Sequence, residues 1–143
     1  KNRANFIWGS NSVAANEGIA LLEGYKLTHQ KKYLDAALSN LDYLLGRNGT
    51  GYSFVTGFGS KTPMHPHHRP SIADGITEPV SGLLVAGANP RMQDQVKVPS
   101  TVPDEAYIDN DQAYAVNEIA INWNAPMAYL ANAIEALQNE LAN

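Results

Sequence analysis

Helical spacing occupies both ends of this chain and fails across its middle, and that contrast limits the fold more than any other feature. From Asn11 to about Thr28, the residues Val13, Ala14, Ile19, Ala20, Leu21, Leu22, Tyr25 and Leu27 make an apolar band wider than one buried face requires. This predicts a helix covered on more than one side. From about Lys31 to Leu45, the residues Leu34, Ala37, Leu38, Leu41, Leu44 and Leu45 recur at i, i+3, i+4 and i+7, with Gly46 and Asn48-Gly49 as a stop and His29-Gln30 as a short turn between helices. A third stripe, Met127, Leu130, Ile134, Leu137 and Leu141, predicts a helix over about 125–141, with Asn124 as N-cap and Pro126 in the first turn. The fold expected is all-α.

Residues 49 to 124 carry most of the glycine and proline and few periodic runs. A connection of that length is far beyond an ordinary loop, and such loops are usually functional when ordered. Nothing in the composition points to nucleic acid, because the net charge is -4 and no basic patch stands out. The absence of cysteine removes disulfides and Cys-type zinc sites. No apolar run approaches the roughly 18 residues of a membrane span, so no membrane partner is expected, and residues 1 to 143 contain no stretch with a signal-peptide pattern.

The candidate chemistry lies in two non-repetitive segments, Ser53 to Arg69 and Tyr107 to Ala125. The second brings Asp109 and Glu118 into one aromatic-rich stretch, a pairing suited to chemistry in which one carboxyl is held protonated while another group stays charged. Trp123 and Tyr114 can shield the Glu118 carboxyl from water, which would raise its pKa toward the range of a general acid. Asn117-Glu118-Ile119 also reads as an ordinary helix N-terminus. Asp109 is suited to orient Glu118 or a polar group of a substrate, or to hold the loop through backbone N–H groups. In the first segment, His65-Pro-His67-His68 has the spacing of a two-imidazole metal site, but further ligands are lacking and the other histidine, His29, is far away in a helix turn. No metal is assigned. Arg69 supplies a planar fork that can bond two adjacent hydroxyls. Asn48-Gly49-Thr50 is a glycosylation sequon that also reads as a turn.

The first segment, through Ser53, Val55, Thr56, Gly59, Lys61, Pro66, His67 and Arg69, and the second, through Tyr107, Asp109, Tyr114, Glu118, Ala120, Asn124 and Ala125, resemble the two signature segments of glycoside hydrolase family 9. The resemblance implies part of an (α/α)6 barrel, with the two long loops lying over its open end. It implies a cellulase that cleaves internal β-1,4-glucosidic bonds with inversion, with Glu118 as general acid, Asp109 and His67 beside it, and His67 and Arg69 bonding sugar hydroxyls. Trp8, in Ile7-Trp8-Gly9-Ser10, resembles a stacking platform for a glucosyl ring and also reads as a packing anchor. Trp123 and Tyr114 join it as aromatics facing substrate, and Tyr52, Phe54 and Phe58 are placed in the same cleft.

The family's Asp-Ala-Gly-Asp segment, which supplies the water-activating carboxylate, does not occur in residues 1 to 143. The chain is therefore expected to be the C-terminal part of one catalytic domain that needs the rest of the barrel and self-associates when isolated. The implied partner is a β-1,4-glucan and the implied location is extracellular. No cofactor is required, and calcium is the structural ion the resemblance allows, with no ligands named. Two alternatives stay open: a non-catalytic carbohydrate-binding or structural fragment, and an exo-acting glucosaminidase of the same family.

Overall fold

The computed structural model describes residues 3–141. Three long helices carry the frame: α1 (Ser10–Thr28), α2 (Lys31–Leu44) and a later helix, Ile121–Ala136, which becomes α5 once two short helices, α3 (Arg69–Ala73) and α4 (Tyr114–Asn117), are counted; α6 (Gln138–Leu141) follows it. The turn between α1 and α2 is made by His29 at φ 52° and Gln30 in extended conformation. As its wide apolar band requires, α1 packs on two neighbours, α2 and α5. The approach of α1 to α5 is close. A β-carbon on Gly18 would stand 2.8 Å from the Leu130 side chain, so glycine is what lets the two backbones come together there. Leu22 of α1, Leu34 and Leu44 of α2 and Leu130 of α5 are fully buried.

The third helix differs from its sequence expectation in a way that matters for the site. It starts at Ile121 with Ala120 as N-cap, so Asn124 is not a cap and Pro126 lies beyond the first turn. The Asn124 side chain bonds elsewhere: Oδ1 accepts the Leu84 N–H at 2.7 Å, and Nδ2 donates to the Leu84 carbonyl at 3.2 Å and to the Ala120 carbonyl at 2.9 Å. One amide thus satisfies both backbone groups of a residue with no solvent exposure.

Nor does the long middle simply lie over the helices. Residues 84–89, including Leu84, Val85, Ala86 and Ala88, run through the core at zero exposure or with close glycine contact. Isolated bridges pair Val55 with Leu84 and Val85 with Ile119. Further bonds join Thr56 N–H to the Leu83 carbonyl, Asn11 N–H to the Ala86 carbonyl and Gly87 N–H to the Val116 carbonyl, at 2.8 to 2.9 Å. An irregular segment can be buried because each backbone group finds a partner on a different neighbour rather than along one ladder. Phe54, expected in the cleft, is also in this core, edge-on to Tyr107 with ring centroids 5.1 Å apart. Asn48 is used up by its own turn. Its amide donates to the Tyr43 and Tyr52 carbonyls, while its Oδ1 accepts from the Thr50 N–H and hydroxyl. No described helix is long and apolar enough to cross a membrane.

Candidate active site

The two chemistry-bearing segments are joined backbone to backbone. The His67 N–H donates to the Asn117 carbonyl at 2.8 Å, and His67 pairs in parallel with Glu118 as an isolated bridge. Helix α4 stops at Asn117, and Glu118 follows in extended conformation at φ −68°, ψ 147°. The carboxylate therefore leaves the chain just after a helix, not at a helix N-terminus, at the point where the second segment meets the first.

Trp8 reaches Glu118 from the other end of the chain, its indole N–H donating to Oε2 at 3.0 Å. The Trp8 ring lies 5.2 Å from Tyr114 between centroids, and Tyr114 lies 5.9 Å from the His67 ring. Glu118 is thus partly buried beside an aromatic row, with Oε2 fixed and Oε1 free of a protein partner among the described residues. Trp123 stands behind this row, against the backbone of Gly9. A β-carbon on Gly9 would meet its indole at 2.8 Å, and Gly9 also takes the left-handed conformation at φ 80° that starts α1. Both demands select glycine next to Trp8.

The His67 ring has a defined tautomer. Its Nδ1 lies 2.6 Å from the Asp111 carbonyl oxygen, which can only accept, so Nδ1 carries the proton. The neutral ring then has Nε2 as an acceptor. Arg69, at the start of α3, is exposed and has no protein partner among the described residues. His68 is a brace, with Nδ1 2.9 Å from the Ser71 hydroxyl, which also accepts the Val80 N–H. His65 contributes backbone groups. Among the described residues, no group of three or more His, Asp or Glu is arranged to hold a metal ion.

Beneath these side chains is a buried polar knot. Asp109 accepts the N–H groups of Met64 and His65 at 2.8 and 2.9 Å, which ties the first segment to the second ahead of His67. Asn117, fully buried, donates through Nδ2 to the His65 carbonyl at 2.5 Å, to Asp109 Oδ1 at 3.2 Å and to the Asn110 carbonyl at 3.3 Å, while its Oδ1 accepts the Tyr107 hydroxyl at 2.6 Å. Burial, and after it the Asp109 and Tyr52 charges, push the Tyr107 hydroxyl well above its ordinary value, so it keeps the proton it donates. Sequence reasoning passed over Asn117. The available signal was an amide beside Glu118 in a mainly apolar run, Tyr114-Ala-Val-Asn-Glu-Ile-Ala120, where a buried polar group must find partners.

Residues 2–131 match Glycosyl hydrolase family 9. Over 134 residues, 93% of this chain and 23% of the relative, the sequence is 47% identical to a xyloglucan-specific endo-β-1,4-glucanase of Bacteroides ovatus. It is 38% identical over 124 residues to endoglucanase D of Acetivibrio thermocellus, covering 87% of this chain and 18% of that protein. A family 9 structure from Bacteroides ovatus superposes with a TM-score of 0.86 at 43% identity, over 95% of this chain and 23% of that one. A thermostable endoglucanase of Alicyclobacillus acidocaldarius gives a TM-score of 0.81 at 38% identity, over 94% of this chain and 26% of that one. The chain spans about a quarter or less of the length of these relatives. Its helices form part of an (α/α)6 barrel like theirs. With both the sequence match and the superposition extending over nearly its whole length, the chain belongs to glycosyl hydrolase family 9.

Proposed function

We propose that the protein to which this chain contributes hydrolyses internal β-1,4-glucosidic bonds of a cellulose-type glucan with inversion of configuration. Glu118 is the general acid, and the water-activating carboxylate comes from a part of the catalytic domain outside these 143 residues. The observation that carries this reading is the Glu118 carboxyl itself, with Oε2 bonded to Trp8 and Oε1 without a partner among the described residues, beside Tyr114 and His67. The relatives' names share a β-1,4-glucan backbone as substrate.

In the mechanism, protonated Glu118 donates its proton to the glycosidic oxygen as the bond from that oxygen to the anomeric carbon breaks. A water molecule attacks the anomeric carbon from the opposite face and passes its proton to the second carboxylate. Inversion needs room for that water, which sets the two carboxyl groups about 6.5–9.5 Å apart. Asp109 is poorly placed to be the second carboxylate, because two backbone N–H groups and the Asn117 amide already occupy it. It holds the loop that carries His67. His67 accepts a sugar hydroxyl through Nε2, Arg69 donates to hydroxyls from the loop edge, and Trp8 and Tyr114 give the sugar faces an aromatic wall that Trp123 backs through Gly9.

The exposed Leu27 and Ile121, at 84% and 90%, supply apolar surface for the remaining barrel helices to cover. A polymeric substrate also fits action outside the cell, and calcium, if bound, has a structural place and no step in this chemistry. Proton NMR of the first products of cello-oligosaccharide hydrolysis by the full-length protein tests the reading. The α-anomer should appear first and mutarotate afterwards, whereas an initial β-anomer would overturn inversion, and failure to cleave any β-1,4-glucan would overturn the assignment.

A further inference from the structure

We infer that Asn117 is a positioning residue that sets the relative placement of Glu118 and His67 through the orientation of its side-chain amide. The inference rests on the functional reading above and adds a group that never touches substrate. Three acceptors face one side of the amide: the His65 carbonyl, Asp109 Oδ1 and the Asn110 carbonyl. None of them can donate when Asp109 is ionised, so this side must be the NH2. On the other side the Tyr107 hydroxyl donates to Oδ1, and its raised pKa keeps that donor in place. The amide therefore has one allowed orientation, fixed from both ends. Its backbone carbonyl takes the His67 N–H, and the next residue is Glu118. Asn117 thus holds the His65–His67 strand by side chain and by main chain within one residue of the proposed acid. Turning or removing the amide would release both catalytic side chains from their common reference.

The titratable groups around this amide are Asp109 and Glu118 on its own segment, Tyr107 behind it, and His65 and His67 on the facing loop. Asn117→Asp in the full-length protein replaces the NH2 by an oxygen that, when ionised, faces Asp109 and two carbonyls. Burial and like charge bring its protonation up from the ordinary carboxylate range toward neutral pH, so that acidification from pH 7 restores an O–H that can again donate to one of the three acceptors. At neutral pH kcat on cello-oligosaccharides should fall about 30-fold with KM changed less than threefold, at a temperature where circular dichroism shows the variant folded. The wild-type to variant ratio of kcat should then shrink at least fivefold as pH is lowered from 7 to 5. Tyr107→Phe, which frees the amide without adding charge, should lower kcat about threefold to tenfold with no such pH trend, and it serves as the test if Asn117→Asp does not fold. Wild-type kcat in the folded variant, a loss carried wholly by KM, or a kcat ratio constant across pH would overturn the inference, as would unchanged kcat in Tyr107→Phe. Glu118→Gln is measured alongside. If it keeps full activity, the functional reading itself has failed, whereas loss there with an unaffected Asn117→Asp sinks the positioning role alone.

Discussion

Trp8 and Glu118 are 110 residues apart in sequence, yet one hydrogen bond of 3.0 Å joins them, and Trp8→Phe isolates that bond. The phenyl ring keeps most of the contact with Tyr114, whose centroid lies 5.2 Å from the indole, but loses the N–H. In the acid form Glu118 offers Trp8 a neutral acceptor, and a hydrogen bond between neutral groups contributes about 0.5–1.5 kcal/mol, of which this 3.0 Å bond takes the upper part. A loss of about 1.4 kcal/mol in holding the acid lowers kcat/KM about tenfold. Trp8→Ala also removes the aromatic contact, about 0.5–1.5 kcal/mol more, for a total loss of about 25- to 135-fold. The assay is steady-state hydrolysis of cello-oligosaccharides by the full-length protein, with the two variants measured side by side. A Trp8→Phe enzyme within twofold of wild type would show that the indole N–H does not orient Glu118. Equal losses in the two variants would refute the division between hydrogen bond and ring.

Asn124→Ala should destabilise the full-length protein by about 2–4 kcal/mol in urea unfolding, because it strands the Leu84 N–H and weakens the bonding of its carbonyl inside the core. A loss below 0.5 kcal/mol would show that water replaces the amide there. At alkaline pH, Tyr107 and Tyr43 are both raised from the ordinary 10.0, chiefly by burial, so their contribution is fully present below that value. It is lost as pH rises further, since the unfolded chain releases the protons first, at about 1.4 kcal/mol per pH unit for each group. Urea midpoints from pH 9 to 11.5 should fall accordingly, and Tyr107→Phe should flatten part of that fall; an unchanged slope would contradict the burial argument.

The helices were legible because their partners lie on one another. The wide band of α1 announced two packing neighbours, and α2 and α5 are those neighbours. The start of α5 was misplaced because Asn124 looks like a cap in isolation, whereas its amide is claimed by Leu84, 40 residues earlier in the chain. The same non-local bonding hid the buried run at 84–89, which is too short and aperiodic to read as core until Asn11, Thr56, Val116 and Asn124 are placed around it. Glu118, His67, Tyr114 and Trp8 could each be singled out from the two segments and the Trp-Gly stretch, and the structure brings them together. That Asp109 is taken up in tying the loop could not be read that way. It depends on Asp109 meeting two backbone N–H groups 44 and 45 residues away.

The central claim is that Glu118 delivers a proton to the leaving oxygen, and the dependence of rate on leaving group tests it most directly. Glu118→Gln in the full-length protein keeps the shape of the side chain and the acceptor oxygen facing Trp8, but cannot transfer a proton. On cello-oligosaccharides, whose leaving alcohol needs protonation, kcat should fall by about 10²–10⁴, the range of a lost general acid. On a dinitrophenyl cellobioside, whose phenolate departs without a proton, kcat should stay within about tenfold of wild type. Equal losses on both substrates, or cello-oligosaccharide turnover within tenfold of wild type, would contradict the assignment of Glu118 as the acid.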